Sequence, residues 1–276
     1  MKALSVSAIA ALWLFKWPSV EIALAAFITW ELLLMPTSVQ FRPHPGSDLV
    51  IATAPMLRAH QTVAAYQVEH GEIGLTKSGA WNRHCIDWVV RRMEFPNWTA
   101  EKLYRVNKVL NEYDVPPLEY LRVLLTSLRL GRKMGGGWRL TKPGMALAGD
   151  PEAAYSKIAP AFLFRFDHTE GMRIGEAPAG DWGLWLNAIN RMPDDGFTLP
   201  ELAAFLYGPG WGGGWRGPAG GLFSAVAMPL QWVGLLIRTG DGGIDEMLWR
   251  RAPLWAAGLE FRNQTKQSNV VPFPSR

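Results

Sequence analysis

Cysteine is nearly absent: Cys85 is the only one in 276 residues. An internal disulfide framework is therefore impossible, and so is a zinc finger built on two or more cysteines. Histidine is sparse too. His44, His60, His70 and His168 are scattered, without the paired spacing of a metal site. His84 adjoins Cys85, but neighbouring helical residues point about 100° apart, so the two do not form a thiol–imidazole pair. Cys85 reads as a buried, inert thiol. No uncharged apolar run reaches the roughly 18 residues of a spanning helix. Ala3–Phe15 ends at Lys16, and Val20–Met35 contains Glu21 and Glu31.

Nucleotide and metal motifs fail on context. Gly208 to Gly213 matches G-x-G-x-x-G in letters, yet it follows a predicted helix, where a dinucleotide site needs a strand. Gly135–Gly137 lacks the Gly-Lys-Ser/Thr of a P-loop. Asp241, Asp245 and Glu246 lack calcium-loop spacing, and Asp194-Asp195 reads as a solvated turn. Trp211 and Trp215 in the Gly-rich loop either anchor a partner or staple the loop to the core. No catalytic constellation emerges. The expectation is a non-enzyme with no cofactor and no metal.

What is present can build a core. Apolar residues make up 49% of the chain and charged residues 19%, which excludes a disordered tail. The length fits two domains or one large one. The scarcity of cysteine fits a reducing, cytoplasmic compartment. The net charge of +4 is unevenly spread: residues 1–73 carry −1, residues 74–145 carry +7 and residues 146–276 carry −2. A local basic excess is a statement about partners, not about fold.

Residues 1–35 admit several readings: hydrophobic helices docked on the rest of the chain, a signal segment, a membrane-attached hairpin, or an over-long reading frame with Met35 or Met56 as the start. The signal reading lacks a small-x-small cleavage site, and membrane attachment is not favoured. Residues 36–54, with Pro43, Pro45 and Gly46, read as a linker.

Residues 55–147 read as one module. Trp81, Cys85, Trp88 and Val89 recur at helical spacing, with Ser78 as N-cap and Pro96 as stop. Leu103, Val106 and Leu110 make a second stripe after the cap Thr99. Pro116-Pro117 opens a third helix carrying Leu118, Leu121, Leu125 and Leu128. Two short strands then flank Gly135–Gly137. Leu75-Thr76-Lys77-Ser78-Gly79 and Leu140-Thr141-Lys142-Pro143-Gly144 form a small repeat. The two segments are expected to pair in one sheet.

Three helices and a two-stranded wing resemble the winged-helix family. At residue level the chain is also similar to a group of uncharacterised bacterial proteins, through LTKSGA at 75–80, LYRVNKVLNE at 103–112, PPL at 116–118, LGR at 130–132 and LTKPG at 140–144. The resemblance covers about a quarter of the chain and implies a fold rather than an activity.

Residues 181–262 read as a weaker copy. Asp181 caps a helix with Trp182, Trp185, Leu186 and Ile189, and Thr198 and Glu201 fit a capping box. Pro229 opens another helix. Leu235–Arg238 and Met247–Arg250 read as strands around Thr239–Gly243. Residues 148–180 form a helical connector and 263–276 a flexible tail. The expected fold is thus mainly α with small β-hairpin wings, arranged as tandem winged-helix-like modules.

The resemblance implies a DNA surface on the first module. Arg122, Thr126 and Arg129 of the third helix would face the major groove. Arg132, Lys133 and Arg139 of the hairpin, with Lys108, would contact phosphates. Two alternatives stay open: a protein-interaction scaffold of the same fold, with a partner or second copy on the second module, and a membrane-attached regulator held by residues 1–35.

Overall fold

Proline sets where helices begin. Its fixed φ suits the first turn, and its missing N–H is one that no helix needs there. Pro55, Pro116, Pro143, Pro151, Pro200, Pro218, Pro229 and Pro253 each occupy a first-turn position. The computed structural model describes residues 37–263, except 94, 171, 173, 174, 211–213 and 241. The readings of residues 1–35, Trp211, Asp241 and the tail from 264 lie outside the described residues.

The chain is mainly helical with small antiparallel sheets. Strand β1 (Thr37–Phe41) leads to α1 (Ser47–Thr53), α2 (Pro55–His70), β2 (Ile73–Gly74), α3 (Arg83–Val90) and α4 (Ala100–Val106). A 3-10 turn at Glu112–Asp114 precedes α5 (Pro116–Ser127), β3 (Gly131–Met134), β4 (Gly137–Leu140), α6 (Lys142–Ala148) and α7 (Pro151–Arg165). Then come α8 (Trp182–Arg191), α9 (Leu199–Tyr207), α10 (Pro218–Leu222), a π-turn (Phe223–Ala227) and α11 (Met228–Trp232). Strands β5 (Leu236–Thr239) and β6 (Leu248–Arg251), α12 (Pro253–Gly258) and β7 (Leu259–Asn263) complete the order. The sheets are β1–β7, β2–β4–β3 and β5–β6. The stretch expected as a linker thus carries β1 and α1.

The described residues fall into two compact units. The smaller holds 37–40, 180–191 and 261–263, and the larger 41–179 and 192–260. In the smaller unit, Asp181 Oδ1 accepts from the Leu184 N–H at 2.9 Å at the start of α8. Trp182 and Trp185 meet edge to face, with ring centroids 5.3 Å apart.

In the larger unit α2 is the central helix, packed against α3, α5, α6, α7 and α11. Buried Met56, Leu57, Val63 and Tyr66 supply its contact faces. Helix α7 buries Tyr155, Ile158, Phe162 and Leu163, while Lys157, Phe164 and Arg165 stay exposed.

Several predicted elements shift, each for a local reason. Helix α3 starts at Arg83, capped by the Asn82 side chain, and not at Ser78. Gly79 has φ +83°, so Thr76–Ala80 closes a turn where the second copy of the motif, with Pro143, starts a helix. Trp81 is buried, but from an extended segment bridged to Leu75 rather than from a helix. Helix α4 ends at Val106, which is 75% exposed. Leu110 still reaches the core, from a loop. The β2–β4 pairing aligns Ile73 with Trp138 and Gly74 with Gly137, two residues ahead of the expected segments.

Leu130, in the short link between α5 and the hairpin, bonds to both sides through its backbone. Leu130 N–H donates to Leu125 O at 2.8 Å, and Leu130 O accepts from Thr141 N–H at 2.8 Å. Gly144 packs its bare Cα against that same carbonyl, where a Cβ would collide. The arrangement recurs: Leu235 N–H donates to Leu230 O at 2.8 Å, and Leu235 O accepts from Ala252 N–H at 3.0 Å. Trp138 pairs with Ile73, and Trp249 bridges Phe197 in the same sense. The similarity of the two hairpins therefore extends to their backbone bonding.

His60 and His168 are buried, each with Nε2 on a backbone carbonyl, of Gly144 at 3.0 Å and Phe162 at 2.8 Å. Burial pulls both imidazoles down to about 4, against the small upward pull of those carbonyls. The unfolded chain takes up these protons once the pH falls below about 6.5, while the folded chain takes them up only near 4. Stability from this source is thus full above the unfolded value and lost on the way down, up to about 3 kcal/mol per histidine. The thermal midpoint should fall between about pH 7 and pH 4.5, and the double variant His60→Gln, His168→Gln should flatten that fall. An equal slope in both proteins would contradict it.

Candidate nucleic-acid interface

The basic residues of the first module do not all serve one surface. Arg122 lies on α5, but its Nε donates to both carboxylate oxygens of Glu112, at 2.8 and 2.9 Å. The Glu112 side chain is 1% exposed and that of Arg122 16%. Glu112 also accepts from the Trp81 N–H at 3.3 Å. Burial pushes its carboxyl above the ordinary range, and the Arg122 guanidinium and the Trp81 amide oppose that shift. The expected groove-facing role of Arg122 therefore competes with a buried ion pair that ties the 3-10 turn to α5.

Thr126 is exposed on α5 and internally bonded. Its Oγ1 donates to Arg122 O at 2.7 Å and accepts from Trp138 Nε1 at 3.0 Å. This bond seats the Trp138 ring over Gly131, where any side chain would collide with it. Thr126 thereby links the third helix to the hairpin. Lys108 is exposed in the loop after α4 and not on a helix.

Arg129 is exposed at the root of the hairpin with φ +58°. Glycine is the usual residue in that left-handed position. The equivalent residue before Leu235 is indeed a glycine, Gly234, with φ +81°. Holding an arginine there costs on the order of 1 kcal/mol of backbone strain.

The hairpin carries three cations, two of them on one face and Lys133 on the other. In the β3–β4 register Arg132 lies directly opposite Arg139, and Lys133 opposite Trp138. Strand alternation puts Trp138 and Leu140 on the buried face, so Arg132 and Arg139 share the outer one. Neither arginine makes an ion pair among the described residues. Glu72 lies over Gly137 on the same face, outside ion-pair distance of both. Like charges placed directly across a sheet destabilise it by roughly 0.2–1 kcal/mol. Lys133 reaches over the Thr76–Ala80 turn, its Nζ 2.7 Å from where a Cβ on Gly79 would lie.

Two lysines of the same region were not singled out from sequence: Lys77 in that turn and Lys142 at the start of α6, both exposed. The signal for both was the repeated Leu-Thr-Lys. In the second hairpin the register places Ile237 opposite Arg250, so the arginine pair has no counterpart there. Arg251 is tied to Asp194 and to Met192 O.

Other candidates resolve simply. Cys85 is fully buried and burial pushes its thiol pKa up, which keeps it protonated. His84 meets Tyr66 and His70 edge to face. Trp215 meets Phe223 edge to face at 5.1 Å, which staples its loop inward. No group of three or more His, Cys, Asp or Glu among the described residues is placed to hold a metal. No helix among them is long and apolar enough to cross a membrane.

A family model described as the Y4jL N-terminal domain matches residues 52–153, from the end of α1 into α7. The uncharacterised protein y4jL of Sinorhizobium fredii is 36% identical over 165 residues, spanning 59% of this chain and 74% of that protein. No solved structure matches.

The buried pair yields a direct test. Glu112→Ala leaves the Arg122 charge half-buried without its partner and should cost about 3–5 kcal/mol in urea unfolding. Glu112→Gln keeps acceptor oxygen in place and should cost clearly less. No loss in Glu112→Gln would mean that Glu112 acts through packing alone.

Proposed function

The chain belongs to the Y4jL family, and we propose that its first module binds double-stranded DNA through the outer face of the β3–β4 hairpin and the adjoining end of α5. The observation that carries this reading is the register pair Arg132 and Arg139, two like charges held face to face without a carboxylate partner. A polyanion turns that local repulsion into attraction, and phosphate binds arginine in a two-pronged geometry. Arg129 adds a second, independent support. An arginine kept where glycine would be less strained is a candidate for use outside the fold.

In this reading Arg129, Arg132 and Arg139 contact phosphates from the outer face, and Lys133, which lies on the Trp138 face, reaches them past the Thr76–Ala80 turn. Lys77 and Lys142 extend the positive surface, and Lys108 lies apart from it, beyond α4. Arg122 and Thr126 hold α5 and the hairpin in place, so their contribution to DNA is indirect. The module then resembles a winged helix in arrangement and relies on its wing for affinity. The second module, with Ile237 where the first has Arg132, is not part of the DNA surface.

A protein-binding role is the second reading. It is favoured by the exposed apolar residues Val106, Val109 and Tyr113, which interrupt the basic stretch around Lys108.

Fluorescence anisotropy with mixed-sequence duplex separates the two. The double variant Arg132→Ala, Arg139→Ala should weaken binding and reduce the slope of log K against log salt by about 1.8, two phosphate contacts' worth. The variant Arg129→Gly should bind DNA more weakly while gaining up to about 1 kcal/mol of stability. Unchanged affinity in the double variant would refute the assignment. Loss of stability in Arg129→Gly would show that the arginine serves the fold.

A further inference from the structure

Away from the hairpin, an open cleft of about 750 Å3 lies between α2 and the end of α3. Its size falls in the range of small organic ligands. Ile51, Trp88 and Met93 supply an apolar floor, and Arg58, Arg91 and Arg92 supply charge; among the described residues no carboxylate lines it. Arg91 is neutralised by Asp87 at 2.9 Å. The other two are not.

Arg58 is half-buried. Its Nη1 donates to Ile51 O at 2.8 Å and Ala52 O at 3.1 Å, at the end of α1. Nε and Nη2 make no hydrogen bond among the described residues. Burial lowers its pKa, as expected for a cation without a counter-charge. Arg92 lies over the Trp88 ring, 3.8 Å from its centroid, and its Nη1 reaches only Trp88 O, at 3.4 Å. Gln61 uses its Nε2 on Ala148 O at 3.1 Å, which leaves its oxygen as an acceptor at the cleft wall. Two guanidinium groups without acids thus converge beside an aromatic and apolar floor.

We propose that this cleft is a binding site for a small aromatic carboxylate, its carboxylate held by Arg58 and Arg92 and its ring against Ile51 and Met93. Charge-assisted hydrogen bonds to a carboxylate satisfy the free guanidinium donors. The apolar floor favours a ligand with a ring to bury over one that is all charge, such as free phosphate. The site is independent of the DNA reading, because none of its residues lies on the hairpin.

The probe is salicylate, followed by ligand-observed NMR titration on the full chain, with neutral salicylamide and inorganic phosphate as comparisons. Salicylate should bind with a Kd of about 1 mM or tighter, and both comparison compounds clearly more weakly. Arg92→Ala, whose side chain is exposed, should weaken binding about tenfold without disturbing the fold. Ala65→Phe, which fills the cleft from an exposed position on α2, should abolish it. The variant Arg132→Ala, Arg139→Ala should bind salicylate as the parent does, so failure here and failure of the DNA reading are told apart. No salicylate binding by the parent chain, or equal binding by the Ala65→Phe variant, would overturn the proposal. Equal affinity for salicylamide would overturn the role of the two arginines.

Discussion

One buried leucine backbone holds the first module together. Leu130 closes the end of α5 through its N–H and accepts the N-cap amide of α6, from Thr141, through its C=O. Both partners are main-chain groups, so the geometry is fixed whatever the side chains. The turn that allows it needs a left-handed residue at 129, and the close approach of α6 needs a residue without Cβ at 144. From this clasp the hairpin emerges at a set angle to α5. Thr126 and Trp138 then lock that angle from the side-chain level. The placement of Arg132 and Arg139 follows from the strand register, and the register from the clasp.

The same clasp at Leu235 shows that the chain uses one structural solution twice. The two hairpins differ in the side chains carried on that bonding pattern. At the left-handed position one carries Arg129 and the other Gly234; at the outer face one carries Arg132 and the other Ile237. Glycine is the less strained choice, and Ile237 is an uncharged one. The first copy departs from the easy solution toward positive charge at both places. That difference of chemistry on a common backbone is the physical basis for assigning the two modules different work.

Much of this was legible in the residues. Helix starts were readable because proline and the caps Thr99 and Thr198 act locally. The third helix was readable because Leu118, Leu121 and Leu125 repeat on one face, and all three are buried. The repeat of Leu-Thr-Lys was visible, but its two copies adopt different structures. Pro143 permits a helix where Gly79 forces a turn, and that difference displaced both the cap of α3 and the expected strand pairing. The stripe through Val106 failed because α4 ends there and the core contact passes to Leu110 from a loop. The Glu112–Arg122 pair was not legible at all. It joins residues ten apart across a turn, and its strength comes from burial, which no spacing rule reports. The cation pair across the hairpin needed a register, and the arginine cleft needed two helices brought together.

The most direct measurement is the salt dependence of duplex binding by the unmodified chain. Anisotropy with a mixed-sequence duplex, titrated from about 50 to 200 mM salt, reads the number of phosphates engaged. A surface of about four hairpin cations predicts a slope near −3.6 and a steep loss of affinity over that range. Binding that does not change with salt, or no binding at the lowest salt, would contradict the account and move the basic hairpin from nucleic acid to a protein partner.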